Sequence, residues 1–222
     1  MIISSALILL NIWTFNSSAN NLPATNQKLL SMLPQTCVFS GSFKQNRELV
    51  GLPVPLVSQG RFFFSCEQGL IWQTQSPINE TLIYTKAQLH FSLDQNNELQ
   101  VADSPIHNYL GRLLLSLMGG DIEYLQKNFA ISEDQSKHAL TLKPSSTALK
   151  RALQDILLQR QDKTATTRIT DTNQQITLIE TLQLQEFSAQ LETACQSVFG
   201  NSDKICAALK NPQKYQTTEA ER

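Results

Sequence analysis

The chain has 222 residues, 18 of them basic and 19 acidic, and its net charge of −1 leaves no basic surface for nucleic acid or for an anionic membrane. Apolar residues make up 41%, enough for the core of one domain, while charged residues, at 17%, fall below the roughly 25% usual in soluble domains. Gln, Asn, Ser and Thr fill the difference, so a greasy ligand would be held by apolar contact rather than by charge.

Residues 2–15 are apolar except for Ser4, Ser5, Asn11 and Thr14, and Asn16-Ser17-Ser18-Ala19 follows with small residues before a cut after Ala19. That pattern predicts a secretory signal peptide over residues 1–19. The run is shorter than the ~20 apolar residues a membrane-spanning helix needs. An N-terminal strand or a short anchor is the alternative, since the leader lacks the usual Lys or Arg. Residues 20–210 then form one domain, and the polar residues 211–222 a disordered tail.

Leu22 to Leu33 carries Leu29, Leu30, Met32 and Leu33 among polar residues and predicts a short amphipathic helix that ends at Pro34. The period then changes to two. Cys37, Phe39, Gly41 and Phe43 share one face of a strand, and Phe62, Phe64 and Cys66 share one face of the next. Further short strands carry Leu70 and Trp72, Leu82 and Tyr84, then Leu89, Phe91 and Leu93, and polar turns separate them. Pro105 opens a helix with Ile106, Tyr109, Leu110, Leu113, Leu114 and Leu117 along one side; Gly119-Gly120 ends it, and Asp121 caps a further turn to Leu125. Phe129–Ile131 and His138–Leu142 read as a hairpin. Ser146 to about Leu153 reads as briefly helical. Strands at 156–159, 166–170 and 175–184 precede a helix over 187–199 that contains Cys195.

Four cysteines fit an oxidising compartment and allow three disulfide connectivities. Nearness in the chain favours Cys195–Cys206, which leaves Cys37–Cys66. An antiparallel pair joined at Cys37 and Cys66 sets Phe39 opposite Phe64 and Gly41 opposite Phe62, so the bond and the aromatic face agree. A metal site is the rival reading, but His90, His107 and His138 stand far from any C-x-x-C spacing, and no metal or cofactor is expected.

The order of helix, meander, central helix and second meander, together with several short stretches, resembles the LolA-like outer-membrane lipoprotein carrier family. Phe39-Ser40-Gly41-Ser42-Phe43-Lys44-Gln45 is similar to its opening F-x-x-x-F-x-Q strand, and Gly60-Arg61-Phe62-Phe63-Phe64 to its second. Trp72 followed by Pro77 is similar to its W-x-x-x-x-P turn, and Leu140-Thr141-Leu142-Lys143-Pro144 to its L-x-P-K stretch with Lys and Pro exchanged. The resemblance covers roughly residues 22–190 and implies an α+β fold, an incomplete antiparallel β-barrel (a LolA/LolB-like half-barrel) covered by helices. It implies an apolar cavity lined by Phe39, Phe43, Phe62, Phe64, Leu70, Trp72, Leu82, Tyr84 and Phe91, with Leu110, Leu113, Leu114 and Leu117 on a lid helix. It also implies a monomer in the periplasm that takes an acylated lipoprotein or lipid cargo from an inner-membrane release complex or exporter to an outer-membrane receptor. One departure widens the expected cargo. Where the family places a basic residue and a Pro ahead of the Trp strand, this chain has Cys66-Glu67-Gln68-Gly69, so a different lipid, a glycolipid or a polyketide-like product also fits.

No G-x-S-x-G elbow, H-E-x-x-H motif or phosphate-binding glycine loop occurs, so no enzyme is expected. The competing expectation is a non-catalytic envelope adaptor with a filled core and a protein partner, because aromatic strand positions are more often core than ligand site.

Overall fold

The computed structural model describes residues 24–93, 98–102, 105–134, 138–162, 164–188, 190–200 and 203–219, so the expected signal peptide lies outside the described residues. Helix α1 (Ala24–Met32) leads into strands β1 (Val38–Glu48), β2 (Leu56–Ser65), β3 (Gly69–Ser76), β4 (Glu80–Thr85), β5 (His90–Leu93) and β6 (Leu99–Val101). Helices α2 (Pro105–Gly119) and α3 (Ile122–Asn128) follow, then β7 (Phe129–Asp134), β8 (Ala139–Pro144), α4 (Thr147–Lys150), β9 (Leu153–Gln161), β10 (Thr164–Asp171) and β11 (Ile176–Glu186). Helices α5 (Leu191–Phe199) and α6 (Asp203–Lys210) and a 3₁₀ helix (Pro212–Glu219) complete the described chain.

All the strands join one antiparallel sheet in the order β6-β5-β4-β3-β2-β1-β11-β10-β9-β8-β7, which stays open. Strands β6 and β7 are neighbours in sequence but stand at opposite edges. Their connection, α2 and α3, therefore has to cross the sheet, and it does so over the inner face.

Helix α2 is apolar on several sides, which suits a helix buried on more than one face. Leu113 and Leu117 pack with α1, α3 and the strands β8 and β9, while Leu115 and the partly buried Leu114 and Met118 pack against β1–β4. Each fully buried leucine contributes about 1.5–3 kcal/mol relative to exposure, so α2 ties the two halves of the sheet together. Asp121 accepts the Tyr124 N–H at 3.0 Å and so caps α3 as the sequence predicts.

Strands β2–β5 are covered on both faces. Phe62 and Phe64 point inward, whereas Phe63 points outward and packs with Ile71, Ile83 and Phe91 under α5 and α6. Two-sided burial explains the unbroken Phe62-Phe63-Phe64 run, which a strand with one wet face would not carry. Arg61 donates to Gln73 Oε1 at 2.7 Å and to the Val198 carbonyl, and its guanidinium lies 5.0 Å from the centre of the Phe199 ring. These contacts fasten the end of α5 to β2.

Cys37 is bonded to Cys66 and Cys195 to Cys206. Phe39 pairs with Phe64 and Gly41 with Phe62, which is the register derived from the cysteines. One expectation needs correction near the C-terminus. The single helix expected over 187–199 begins only at Leu191 and is followed by α6, because the second cysteine and Ile205 extend the outer apolar layer. In the segment expected to be a disordered tail, Pro212–Glu219 is a 3₁₀ helix, and Tyr215 packs on the same layer.

Candidate ligand cavity

The inner wall starts from two glycines. A Cβ on Gly41 would stand 2.9 Å from Cζ of Phe62, and one on Gly60 would stand 2.9 Å from Cε1 of Phe43 and 1.9 Å from the Gln73 carbonyl oxygen. Each ring therefore lies, on the inner face, close over a bare stretch of neighbouring backbone, an aromatic cover over strand glycines. Phe43 stacks on Trp72 with centroids 3.9 Å apart, Phe62 lies 5.8 Å from Trp72, and Phe39 lies 5.2 Å from Phe64. Phe39, Phe43, Phe62, Phe64 and Leu70 are all buried in this layer.

Alongside these rings, on the same face of the sheet, lies a cavity of about 420 Å³, within the roughly 300–1,000 Å³ of small-molecule sites. Trp72, Leu82 and Tyr84 form one wall, Leu113 and Leu114 of α2 the roof, and Ile169, Thr177 and Ile179 the opposite wall. Leu149, Ala152 and Leu153 close one side, and Gln45, Arg47, Asp171 and Gln175 form a polar rim. Burial, and then the Glu80 carboxylate, push the Tyr84 phenol up to about 12. A smaller void of about 60 Å³ lies under the last turn of α2, bounded by Phe39, Phe62, Leu117, Met118 and Leu184 among others.

The structure thus sorts the residues chosen from sequence. Trp72, Leu82, Tyr84, Leu113 and Leu114 line the main cavity. Phe39, Phe62 and Leu117 border the small void, while Phe43, Phe64 and Leu70 stand behind as packed support. The side chain of Leu110 lies outside the described residues. Phe91 requires correction. It pairs with Ile83, not with Leu82 or Tyr84, so its ring points to the outer face and packs under α5 and α6. The sequence reading missed Ile169, Thr177 and Ile179. The threonine-rich alternation of β10 and β11 looks like a wet surface, and only the sheet order brings those strands across from Trp72.

A second, polar cleft of about 690 Å³ flanks α2 on its other side, with Lys86, Arg112, Asp121, Glu123 and Lys127 among its residues. Tyr109 borders both spaces. Arg112 lies 3.4 Å from Asp121 and 4.9 Å from the centre of the Tyr124 ring. Among the described residues no group of three or more His, Cys, Asp or Glu side chains is placed to hold a metal ion, and no helix is long and apolar enough to cross a membrane.

Comparison with known families decides the lineage. The family described as outer membrane lipoprotein carrier protein LolA matches residues 35–193. The chain belongs to the LolA family. LolA-family proteins are periplasmic, non-enzymatic carriers of lipoprotein cargo, and the open sheet covered by helices is that family's architecture. No curated protein matches the chain in sequence. Among solved structures it is similar to a LolA superfamily protein from Nitrosomonas europaea, with 6% identity, a TM-score of 0.43, and coverage of 75% of this chain and 93% of that one. It is also similar to a DUF1329 family protein from Desulfovibrio piger, with 7% identity, a TM-score of 0.43 and the same coverages.

Proposed function

We propose that the protein shelters the acyl part of a lipoprotein or related lipid in the cavity under α2 and carries it through the periplasm toward the outer membrane. Residues 20–210 are the carrier domain. Cargo arrives from an inner-membrane release complex or exporter and leaves to an outer-membrane receptor. The observation that carries the reading is the apolar cavity of about 420 Å³ between Trp72, Leu82 and Tyr84 on one half of the sheet and Ile169 and Ile179 on the other, roofed by Leu113 and Leu114. Each methylene moved from water into such a space gains about 0.8 kcal/mol without needing a directional partner. Tyr109, at the seam between cavity and polar cleft, lets the acyl and polar parts of one cargo sort to different sides of α2.

A titration with a fluorescent apolar probe tests this. Saturable binding, competed by a fatty acid, is the expected result. Leu114→Trp fills the roof and weakens binding about 50-fold, the equivalent of denying burial to roughly three methylenes. Absence of binding by a protein with an intact near-UV spectrum overturns the reading in favour of an envelope adaptor with a filled core.

A further inference from the structure

One end of the sheet presents aliphatic side chains to water. From Leu49 to Gly60, between Glu48 and Arg61, the chain carries no charge and includes Val50, Leu52, Pro53, Val54, Pro55, Leu56 and Val57. These residues form the turn from β1 to β2 and the start of β2. Val50 is 75% and Val54 67% exposed, and Leu52, Leu56 and Val57 are each about half exposed. Ile78, 65% exposed, follows the end of β3 at the same end of the sheet, because Gln59 pairs with Ser76. Single exposed aliphatics are ordinary, but a contiguous group on an otherwise polar surface marks a contact with a protein or a membrane.

The group stands at the mouth of the cavity. Gln45 and Arg47 belong to the cavity rim, and Arg47 pairs with Leu56 on one side and with Thr177 on the other. The aliphatic turn therefore rises from the same strand ends that frame the opening.

Its chemistry favours lipid over protein. Protein interfaces draw their energy from Trp, Tyr and Arg anchors, and the segment 49–57 contains none of these. Pro53 and Pro55 have no N–H, so fewer backbone donors lose water if the turn enters a layer that offers no hydrogen bonds. The absence of Lys and Arg from the tip means that attraction to anionic headgroups plays no part there.

We propose that the turn 49–57 inserts its aliphatic side chains into the interfacial layer of a lipid bilayer and seats the cavity mouth against it. Acyl chains exchanged between the cavity and a partner held in that membrane then stay out of open water. The transfer role rests on the carrier reading, whereas the insertion itself does not.

Flotation with neutral phosphatidylcholine vesicles tests the insertion, using protein recovered from the periplasmic fraction and a Val50→Ser/Leu52→Ser/Val54→Ser variant. The wild type is expected to float equally at low and high salt. The variant should partition roughly 1,000-fold less, about tenfold per side chain, and bind the cavity probe unchanged. The proposal is overturned by a wild type that stays at the bottom of the gradient, by a variant that floats as well as the wild type, or by flotation that needs anionic lipid and disappears with salt. Probe binding without flotation removes this proposal and leaves the carrier reading; flotation without probe binding does the reverse.

Discussion

Tyr84 shows how one side chain ties the wall of the cavity to stability. Its ring packs edge-on against His90 with centroids 5.2 Å apart, and its phenol, in a mostly buried site near Glu80, titrates at about 12 instead of 10. Below pH 10 the phenol is protonated in folded and unfolded chains alike, and its contribution to stability is fully present. As pH rises from 10 toward 12 the unfolded chain ionises first, and about 2–3 kcal/mol is lost. Urea unfolding of wild type and Tyr84→Phe at about pH 9 and about pH 11.5 reads this out, because the exposed tyrosines cancel in the comparison. The wild type should lose more stability than the variant over that interval; equal losses would mean that the phenol is not desolvated. At this scale the sequence was informative but incomplete. Period two identifies Phe39, Phe62 and Phe64 as facing one way, yet it does not reveal that Gly41 and Gly60 draw the Phe62 and Phe43 rings flat onto the sheet. Nor does it reveal that the cavity lies further along the same face, at Trp72, Leu82 and Tyr84.

At the scale of elements, α2 is both the bond between the halves of the sheet and the roof of the cavity. It approaches β4 and β5 through Gly111, where a Cβ would stand 2.5 Å from Cδ1 of Tyr84 and 3.1 Å from Nε2 of His90. Gly111→Leu must therefore lift the helix or displace the Tyr84 ring, an overpacking that costs about 1–3 kcal/mol. If α2 is the gate, the variant admits the apolar probe faster, as stopped-flow mixing would record. A loss of stability with an unchanged entry rate would mean that cargo enters elsewhere. The helix itself is legible from Pro105, its run of leucines and Gly119-Gly120, and α3 from its Asp121 cap. Helix α6 carries the same signal, with Ile205, Cys206, Ala208 and Leu209 buried on one side of its eight residues, but so short a stripe does not by itself set a helix apart from a turn; Cys206 and the outer layer hold it in place. The orientation of Phe91 is not legible either. Alternation shows that Leu89, Phe91 and Leu93 share a face but not which face, and only the pairing of Phe91 with Ile83 fixes that.

At the scale of the whole molecule, strand order creates the site. With β11 beside β1 and the two meanders running outward to β6 and β7, Trp72 and Ile179 reach a common cavity across strands distant in sequence. The connection between the edge strands has to cross the inner face, so an open sheet and an apolar roof arise together. The α5–α6 pair, clasped by Cys195–Cys206, covers the outer face of β2–β5 and leaves the inner one to the ligand. On the proposed reading the inner space is built for acyl chains. Mass spectrometry of the material that accompanies the protein after mild extraction from the periplasm tests it most directly. A stoichiometric acylated species, depleted in Leu114→Trp, is expected; protein that emerges with no acylated species, or with the same amount in both forms, would overturn the acyl-chain reading.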